Sequence, residues 1–553
     1  MMAWLKDGST YEEVREGFRW SIPEHYNMAH DVCDQYAGSD RLALIEVGED
    51  GSTTRYSFKQ VQELANRIAN VLVHAGAARG DRVMILLGQH PYAAITHVAC
   101  WKAGLVSVPT SVLFGAEALA YRLSDSGAAF AVTDRENLPK LQEAQESAGS
   151  LRGIFLVDGE EAGAPSLNRL SEQASGSFTN VATKASDPAF MCYTSGTTGW
   201  PKGALHGHQS MLGHAPAARY IFDFMPHEGD VMWSPADWSW LAGLMDVLMP
   251  AWYYGIPVVA SRRKKFDPED AFATIARFGV TVSLLTPTIL KLMRQVPNGT
   301  GRHGARLRCV ASGGEAVGAE LLEWANSELK TTVNEVYGQT ECNLVLASCA
   351  RMMPVKPGSL GLATPGQTAA IVDDEGRLLG PGETGNIAFK APNPIHMLRY
   401  WNKPDATVEK YAGEWMISGD SGQMDEDGYF WFQGRADDVI TSSGYRIGPG
   451  EIEDALTSHP RVANSAVVGI PDEERTERIK AFVVLSPGTE ASDELKSELE
   501  SYVGQRLARH ERPREIEFVA ELPMTVTGKI QRRELRDREI ARLEAVQQGE
   551  GTN

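Results

Sequence analysis

The densest concentration of groups suited to chemistry is the run Tyr193-Thr194-Ser195-Gly196-Thr197-Thr198-Gly199-Trp200-Pro201-Lys202-Gly203. Hydroxyls and glycines packed this closely let backbone N–H groups, side-chain O–H groups and an ammonium converge on an anion, as phosphate loops do. Gly196 and Gly199 precede Lys202-Gly203 at a spacing that is not GxxxxGK[ST], which argues against a P-loop NTPase. A flexible Ser/Thr/Gly linker has the same composition, and the loop alone does not separate the two readings. A second candidate is the basic segment 506–536, where eight Lys/Arg face five Asp/Glu in an otherwise acidic chain. Most of its arginines read equally well as a solvated face, as does the run Arg262-Arg263-Lys264-Lys265. The six cysteines (Cys33, Cys100, Cys192, Cys309, Cys342, Cys349) form no CxxC pair and have no neighbouring His cluster, which argues against zinc or a disulfide framework and for a reducing cytoplasm.

These groups need a scaffold, and the apolar pattern supplies an alternating one. Ser57 and Gln60 form a capping box ahead of Val61, Leu64, Ala65, Ile68, Val71 and Leu72, which share one helical face. Gly76 stops that helix, Arg79-Gly80-Asp81 turns the chain, and 83–87 reads as a buried strand. The unit recurs: Asp267-Pro268 open a helix through 272–278, and 280–285 and 307–311 read as strands. Alternation of this kind predicts α/β layers with parallel sheets. Segment 238–260 is long and apolar enough to span a bilayer, yet Asp246, Pro250 and Pro257 interrupt it, so a buried helix-turn-strand is expected. The first ten residues carry Lys6 and Asp7 and no continuous apolar core, so no signal peptide is expected. After about residue 400 the composition changes, with a short strand at 428–432 and a glycine-punctuated stretch at 434–450.

The chain has 553 residues, 43% of them hydrophobic, and a formal charge of −19, an ordinary globular composition that repels nucleic acid and anionic membranes. Any anionic ligand must therefore meet a local basic site.

Further motifs follow the loop in a fixed order: Gly313-Gly314-Glu315, Tyr337-Gly338-Gln339-Thr340-Glu341, Ser418-Gly419-Asp420, Gly434-Arg435-Ala436-Asp437-Asp438, Ser443-Gly444-Tyr445-Arg446, and PMTVTGK at 523–529. Together with the loop they resemble the acyl-adenylate-forming superfamily of acyl-CoA synthetases, beetle luciferases and peptide-synthetase adenylation domains, over essentially the whole chain. Phe18-Arg19-Trp20 with Tyr26-Asn27 is similar to the subgroup of medium-chain, benzoate and acetate CoA ligases.

The resemblance implies a large N-terminal α/β domain of layered sheets and helices (1–434), a hinge (435–438, with Asp437 as pivot) and a smaller mobile α+β C-terminal domain (439–553). It implies that ATP activates a carboxylate as acyl-AMP with loss of pyrophosphate, after which the thiol of coenzyme A displaces AMP; covalent activation splits one difficult step into two easier ones. Thr194, Ser195, Gly196, Thr197, Thr198, Gly199 and Lys202 would wrap the β- and γ-phosphates, and Thr340 would bond the phosphate that becomes AMP. Glu341 would hold Mg²⁺, a hard ion suited to carboxylate oxygen. Gly313, Gly314 and Glu315 would lie along adenine, with Tyr337, Gly338 and Gln339 completing the nucleotide site. Asp420 would accept from both ribose hydroxyls, Arg435 would be a second ribose contact and Arg446 a phosphate contact. Lys529 would bridge the attacking carboxylate and the α-phosphate, then rotate away as Gly444 approaches the pantetheine tunnel and Arg475 meets the CoA nucleotide. Thr476, where the subgroup has Gly, departs from the pattern beside Arg475.

The acyl pocket is implied to involve Trp238, Trp240, Gly243, Leu244 and Gly338, the two tryptophans being either pocket walls or core aromatics. Acetate-specific relatives carry Trp at the position of Gly338, so Gly here implies room for a short- to medium-chain or aromatic acid. Carrier-protein loading, ligation coupled to acyl cleavage, and a non-catalytic nucleotide binder remain as alternatives. No nucleic-acid partner and no membrane span are expected, and homodimerisation stays open.

Overall fold

Short-range signals act where the sequence places them. The Gln60 amide donates to Ser57 Oγ and the Ser57 amide to Gln60 Oε1, closing the capping box on helix Phe58–His74. Its Val61, Ala65, Ile68 and Leu72 are buried. Asp267 caps helix Pro268–Phe278, and Gly279 ends it in the left-handed region at φ +63°. The computed structural model describes residues 5–6, 8, 10–149, 151–194, 200–261, 263, 265–435, 438, 440–442, 445–472, 476–507, 511–525 and 529–550.

One of two compact units comprises Met1–Thr194, Lys202–Ala369 and Lys390–Lys410. It contains a seven-stranded sheet in the order Arg399–Tyr400, Gly203–Gly207, Pro188–Tyr193, Val106–Pro109, Arg82–Leu86, Phe130–Thr133, Gly153–Leu156. Pairing from Pro188–Tyr193 to Gly153–Leu156 is parallel, and the first two strands join antiparallel. A second sheet places Val333–Tyr337, Cys309–Gly313, Val282–Leu284, Met232–Trp233, Val258–Ser261 and Leu42–Val47 side by side, all parallel. Helices cover these strands and bury their apolar runs, as parallel sheets require. Segment 238–260 is the expected buried helix-turn-strand: Ala242–Leu248 is wound as a π-helix, Met249–Tyr253 continues as α-helix, and Val258–Ser261 is a strand. Among the described residues no helix is long and apolar enough to cross a membrane. All six cysteines are buried, and none is in a disulfide.

The other unit includes Ala370–Phe389 and Tyr411–Asn553. Strands Trp415–Met424 and Phe430–Arg435 pair antiparallel in it. A further sheet runs Tyr445–Ile447, Ile440–Ser442, Thr476–Leu485, Val462–Asp472, with Glu515–Phe518 parallel to Thr476–Leu485. Period-two alternation divides its side chains between two cores. Val467, Ile479, Ala481 and Val483 meet Ile452, Leu456, Leu495 and Leu499, whereas Ala466, Val468, Ile470 and Phe482 meet Leu522 and Leu535. A one-residue slip would exchange the faces, so burial fixes the register. The second core seats helix Arg532–Glu550, which directly follows Lys529. Buried Lys480 adds ion pairs to that helix and the sheet edge, to Glu539 at 2.9 Å, Glu515 at 2.8 Å and Glu517 at 2.7 Å.

Candidate active site

Thr194 and Lys202 are set by the ladder beneath them, because Pro188–Tyr193 and Gly203–Gly207 pair with Tyr193 opposite Gly203. The Lys202 amide donates to Thr194 Oγ1 at 3.1 Å and the Thr194 amide to the Lys202 carbonyl at 2.9 Å, closing the neck of the loop. Ser195, Gly196, Thr197, Thr198 and Gly199 lie outside the described residues.

Strand Arg399–Tyr400 joins the free edge of Gly203–Gly207, with Tyr400 opposite Ala204. This brings the Tyr400 ring to 5.1 Å from the Lys202 ammonium, a cation–π distance. The Tyr400 hydroxyl donates to Glu341 Oε1, and the Glu341 carbonyl accepts from the Met397 amide at 2.7 Å. Glu341 is only 9% exposed. Its other carboxylate oxygen takes no hydrogen bond from a described residue, which suits a hard cation completed by substrate phosphates. Among the described residues no cluster of three or more His, Cys, Asp or Glu forms a metal cage. This lining would fit magnesium, with Glu341 as the one protein carboxylate to hold it.

The Thr340 carbonyl accepts from His206 Nε2 at 2.8 Å, and the imidazole stacks on Phe190 at 4.7 Å. A carbonyl only accepts, so Nε2 carries the hydrogen. Burial pushes the His206 pKa down to about 4, partly offset by that bond, so the ring is neutral near pH 7. His396 is likewise held at about 4 by burial. Tyr400 and His206 support the Thr340–Glu341 pair, and the sequence motifs did not mark either one.

Gly313 and Val336 are register partners on adjacent parallel strands, so the motifs that follow those strands emerge together at their carboxyl ends. Ligand sites of open α/β sheets form at such edges. A Cβ at Gly313 would strike the Val336 carbonyl, and Gly314 is at φ +88°. Glu315 is exposed and accepts from Thr288 Oγ1 at 3.0 Å. Gln339 reaches the Tyr337 hydroxyl at 3.4 Å and accepts from Lys410 Nζ at 3.2 Å.

Of the acyl-pocket candidates, Trp238 is buried, whereas Trp240 is half-buried, edge-on to Phe114 at 5.9 Å. Gly243 and Leu244 lie in the π-helix, and a Cβ at Gly243 would strike the Asp237 carbonyl. At Gly338 a Cβ would strike the Leu344 amide and Asn343 Cα, so close backbone approach independently demands glycine there.

The remaining candidates cluster in the second unit. Asp420 and Arg435 are register partners joined at 2.9 Å, and Ser418 Oγ accepts from the Asp420 amide at 3.0 Å. Lys529 is exposed at the end of a hairpin whose neck is closed by Thr525 N to Lys529 O at 2.8 Å and Lys529 N to Thr525 Oγ1 at 3.1 Å. Three residues on, Arg532 forks onto Glu453 at 2.7 and 2.5 Å and reaches Asp438 at 3.5 Å, so the helix that follows Lys529 is tied to residue 438 through one guanidinium. Asp437, Gly444 and Arg475 lie outside the described residues, as does the side chain of Arg446, whose backbone belongs to strand Tyr445–Ile447.

Residues 32–401 match the AMP-binding enzyme family and residues 451–529 the AMP-binding enzyme C-terminal domain. This chain belongs to the AMP-binding enzyme family. Within it the chain is an acyl-CoA synthetase: it is 35% identical to the mitochondrial acyl-coenzyme A synthetase ACSM3 of Homo sapiens, over 96% of this chain and 92% of that protein. It is 36% identical to the acetyl-coenzyme A synthetase of Bacillus subtilis (strain 168), over 96% and 95%. A benzoate CoA ligase from Burkholderia xenovorans LB400 superposes with a TM-score of 0.81 at 28% identity, over 92% of this synthetase and 100% of that chain.

Proposed function

We propose that this acyl-CoA synthetase activates a carboxylic acid of propionate size or larger, linear, branched or aromatic, forming acyl-AMP and then the CoA thioester. The single observation that carries the adenylation chemistry is Tyr400, which faces the phosphate-loop ammonium of Lys202 with its ring and holds Glu341 with its hydroxyl. A cation for phosphate and a carboxylate for magnesium are thus presented by one phenol. Two anions, carboxylate and triphosphate, must approach each other, so charge neutralisation fixed before the reaction is the main demand on the site. Magnesium, when bound, neutralises phosphate charge and polarises the α-phosphate.

In this reading Thr194, the loop that follows it and Lys202 bind the β- and γ-phosphates, Thr340 the α-phosphate, and Asp420 with Arg435 the ribose. Gly313, Gly314, Glu315, Tyr337 and Gln339 border adenine. Lys529 stabilises the charge that develops as the carboxylate oxygen attacks the α-phosphate and pyrophosphate leaves. The 435–438 segment then turns residues 439–553 so that the Gly444 loop replaces Lys529, with Arg475 toward the CoA nucleotide. The Arg532 guanidinium supports this reading, since it links Asp438 to the start of the helix that follows Lys529. The six buried, unbridged thiols support a cytoplasmic setting.

Tyr400→Phe keeps the ring over Lys202 and removes the hydroxyl from Glu341. Loss of one hydrogen bond to a carboxylate should lower kcat/KM for ATP by about 10- to 100-fold and raise the magnesium requirement, with KM for CoA unchanged. A magnesium titration of initial rates checks this.

The names of the relatives run from acetyl to benzoate, so the acid is argued from this chain. Acetate-specific relatives are implied to carry Trp at the position of Gly338, and the glycine found there supports room for a larger acid. Pyrophosphate release over a panel of acids, with and without CoA, tests the proposal. Larger acids should exceed acetate by about tenfold or more, given 1–3 kcal/mol per methylene. Acetate as the best substrate would overturn it.

A further inference from the structure

The acyl-pocket helix holds one residue that the chemistry above does not use. Asp246 lies in the π-helix Ala242–Leu248, three residues after Gly243 and two after Leu244, and is 2% exposed. Leu244, Met245, Val247 and Leu248 around it in sequence are all buried and apolar. The one side-chain hydrogen bond it makes among the described residues comes from Asn343 Nδ2. Asn343 is itself 6% exposed and has no other side-chain hydrogen bond among the described residues.

Asn343 is placed by the other wall. Its Cα and the following amide fill the space where Gly338 has no side chain. The Asp246–Asn343 pair therefore ties the helix bearing Gly243 and Leu244 to the loop bearing Gly338 and Glu341. Both walls belong to the same compact unit. π-Turns inside helices concentrate at functional sites because the extra residue redirects side chains.

Burying a carboxyl with one partner is costly, and core packing gives no reason to keep one. Burial pushes its pKa well above the ordinary carboxylate range, and the hydrogen bond from Asn343 offsets that only in part. One hydrogen bond between the two side chains leaves further donor and acceptor capacity on the pair.

Building on the acyl-pocket assignment above, we propose that Asp246 and Asn343 read a hydrogen-bonding substituent, a hydroxyl or oxo group, on the carbon chain or ring of the acid. The carboxylate end goes to the nucleotide as before. A pocket that hydrogen-bonds a substrate hydroxyl discriminates strongly against the analogue lacking it, because its own polar groups are then left unpaired.

The test uses the full-length enzyme with ATP, magnesium and CoA, and measures kcat/KM from pyrophosphate release for matched pairs: butyrate with 3-hydroxybutyrate, hexanoate with 6-hydroxyhexanoate, benzoate with 4-hydroxybenzoate. Wild type should favour the substituted member of at least one pair by about tenfold or more. Asp246→Leu should erase or reverse that preference with KM for ATP unchanged, and Asp246→Asn, which still donates and accepts, should keep it. Wild type that uses the unsubstituted members equally well or better overturns the proposal. So does an Asp246→Leu enzyme in which both members of the pair fall alike, the behaviour of a purely structural strut. If Asp246→Leu fails to fold, the wild-type preference and its retention or loss in Asp246→Asn decide. Absence of pyrophosphate with every acid would instead be a failure of the synthetase reading, visible before any selectivity is measured.

Discussion

Lys529→Ala should lower pyrophosphate release from ATP and acid by roughly 10³-fold, about 4 kcal/mol of transition-state stabilisation, while thioester formation from supplied acyl-adenylate stays within a few-fold of wild type. The residue is exposed, and the bonds that close its hairpin come from its backbone and from Thr525, leaving the ammonium without a described partner. Truncation therefore leaves the fold in place, with stability changed by about 0.5 kcal/mol or less. The two half-reactions, measured separately, give the answer. Loss confined to the first fits a charge used only while acid and nucleotide are being joined. Equal loss in both would make Lys529 a general binding group and remove the reason for a turning C-terminal segment.

The second large effect is expected at Glu341→Gln. Glutamine preserves shape, and its carbonyl can still accept from the Tyr400 hydroxyl, so only the negative charge is lost. Adenylation should fall by roughly 10²- to 10³-fold, with partial recovery as magnesium is raised, because a hard divalent ion favours a charged oxygen ligand. Chelation of magnesium should silence the wild type and also remove the residual activity of the variant. A Gln variant with an unchanged magnesium optimum would place the ion elsewhere.

Much of this architecture is legible in the sequence. Capping at Ser57 and Asp267, the stop at Gly279 and the apolar runs after them are short-range effects, and the elements appear there. The motif order marked Thr194, Lys202, Thr340, Glu341, Asp420, Arg435 and Lys529 through a resemblance, and the structure joins two pairs of them, Thr194 with Lys202 and Asp420 with Arg435. The supporting residues were not readable, since they act across long separations. Tyr400 meets Glu341 only after strand Arg399–Tyr400 joins a sheet edge laid down two hundred residues earlier, and His206 reaches Thr340 in the same way. Asp246 served in the sequence only as an argument against a membrane span; its partner lies in another motif and the π-turn leaves no periodicity to detect. Gly338 had two reasons to be glycine, and only the one drawn from relatives was visible in advance.

The burial of all six thiols has a practical consequence. Cys33, Cys100, Cys309 and Cys349 are each shifted by burial toward the protonated, unreactive form, and so is Cys192. The native enzyme is therefore a dark background for maleimide dyes. Two cysteines introduced on its surface, one in each compact unit, would be labelled selectively without first stripping the natural ones, so that single-molecule fluorescence could follow turnover in an otherwise unaltered protein.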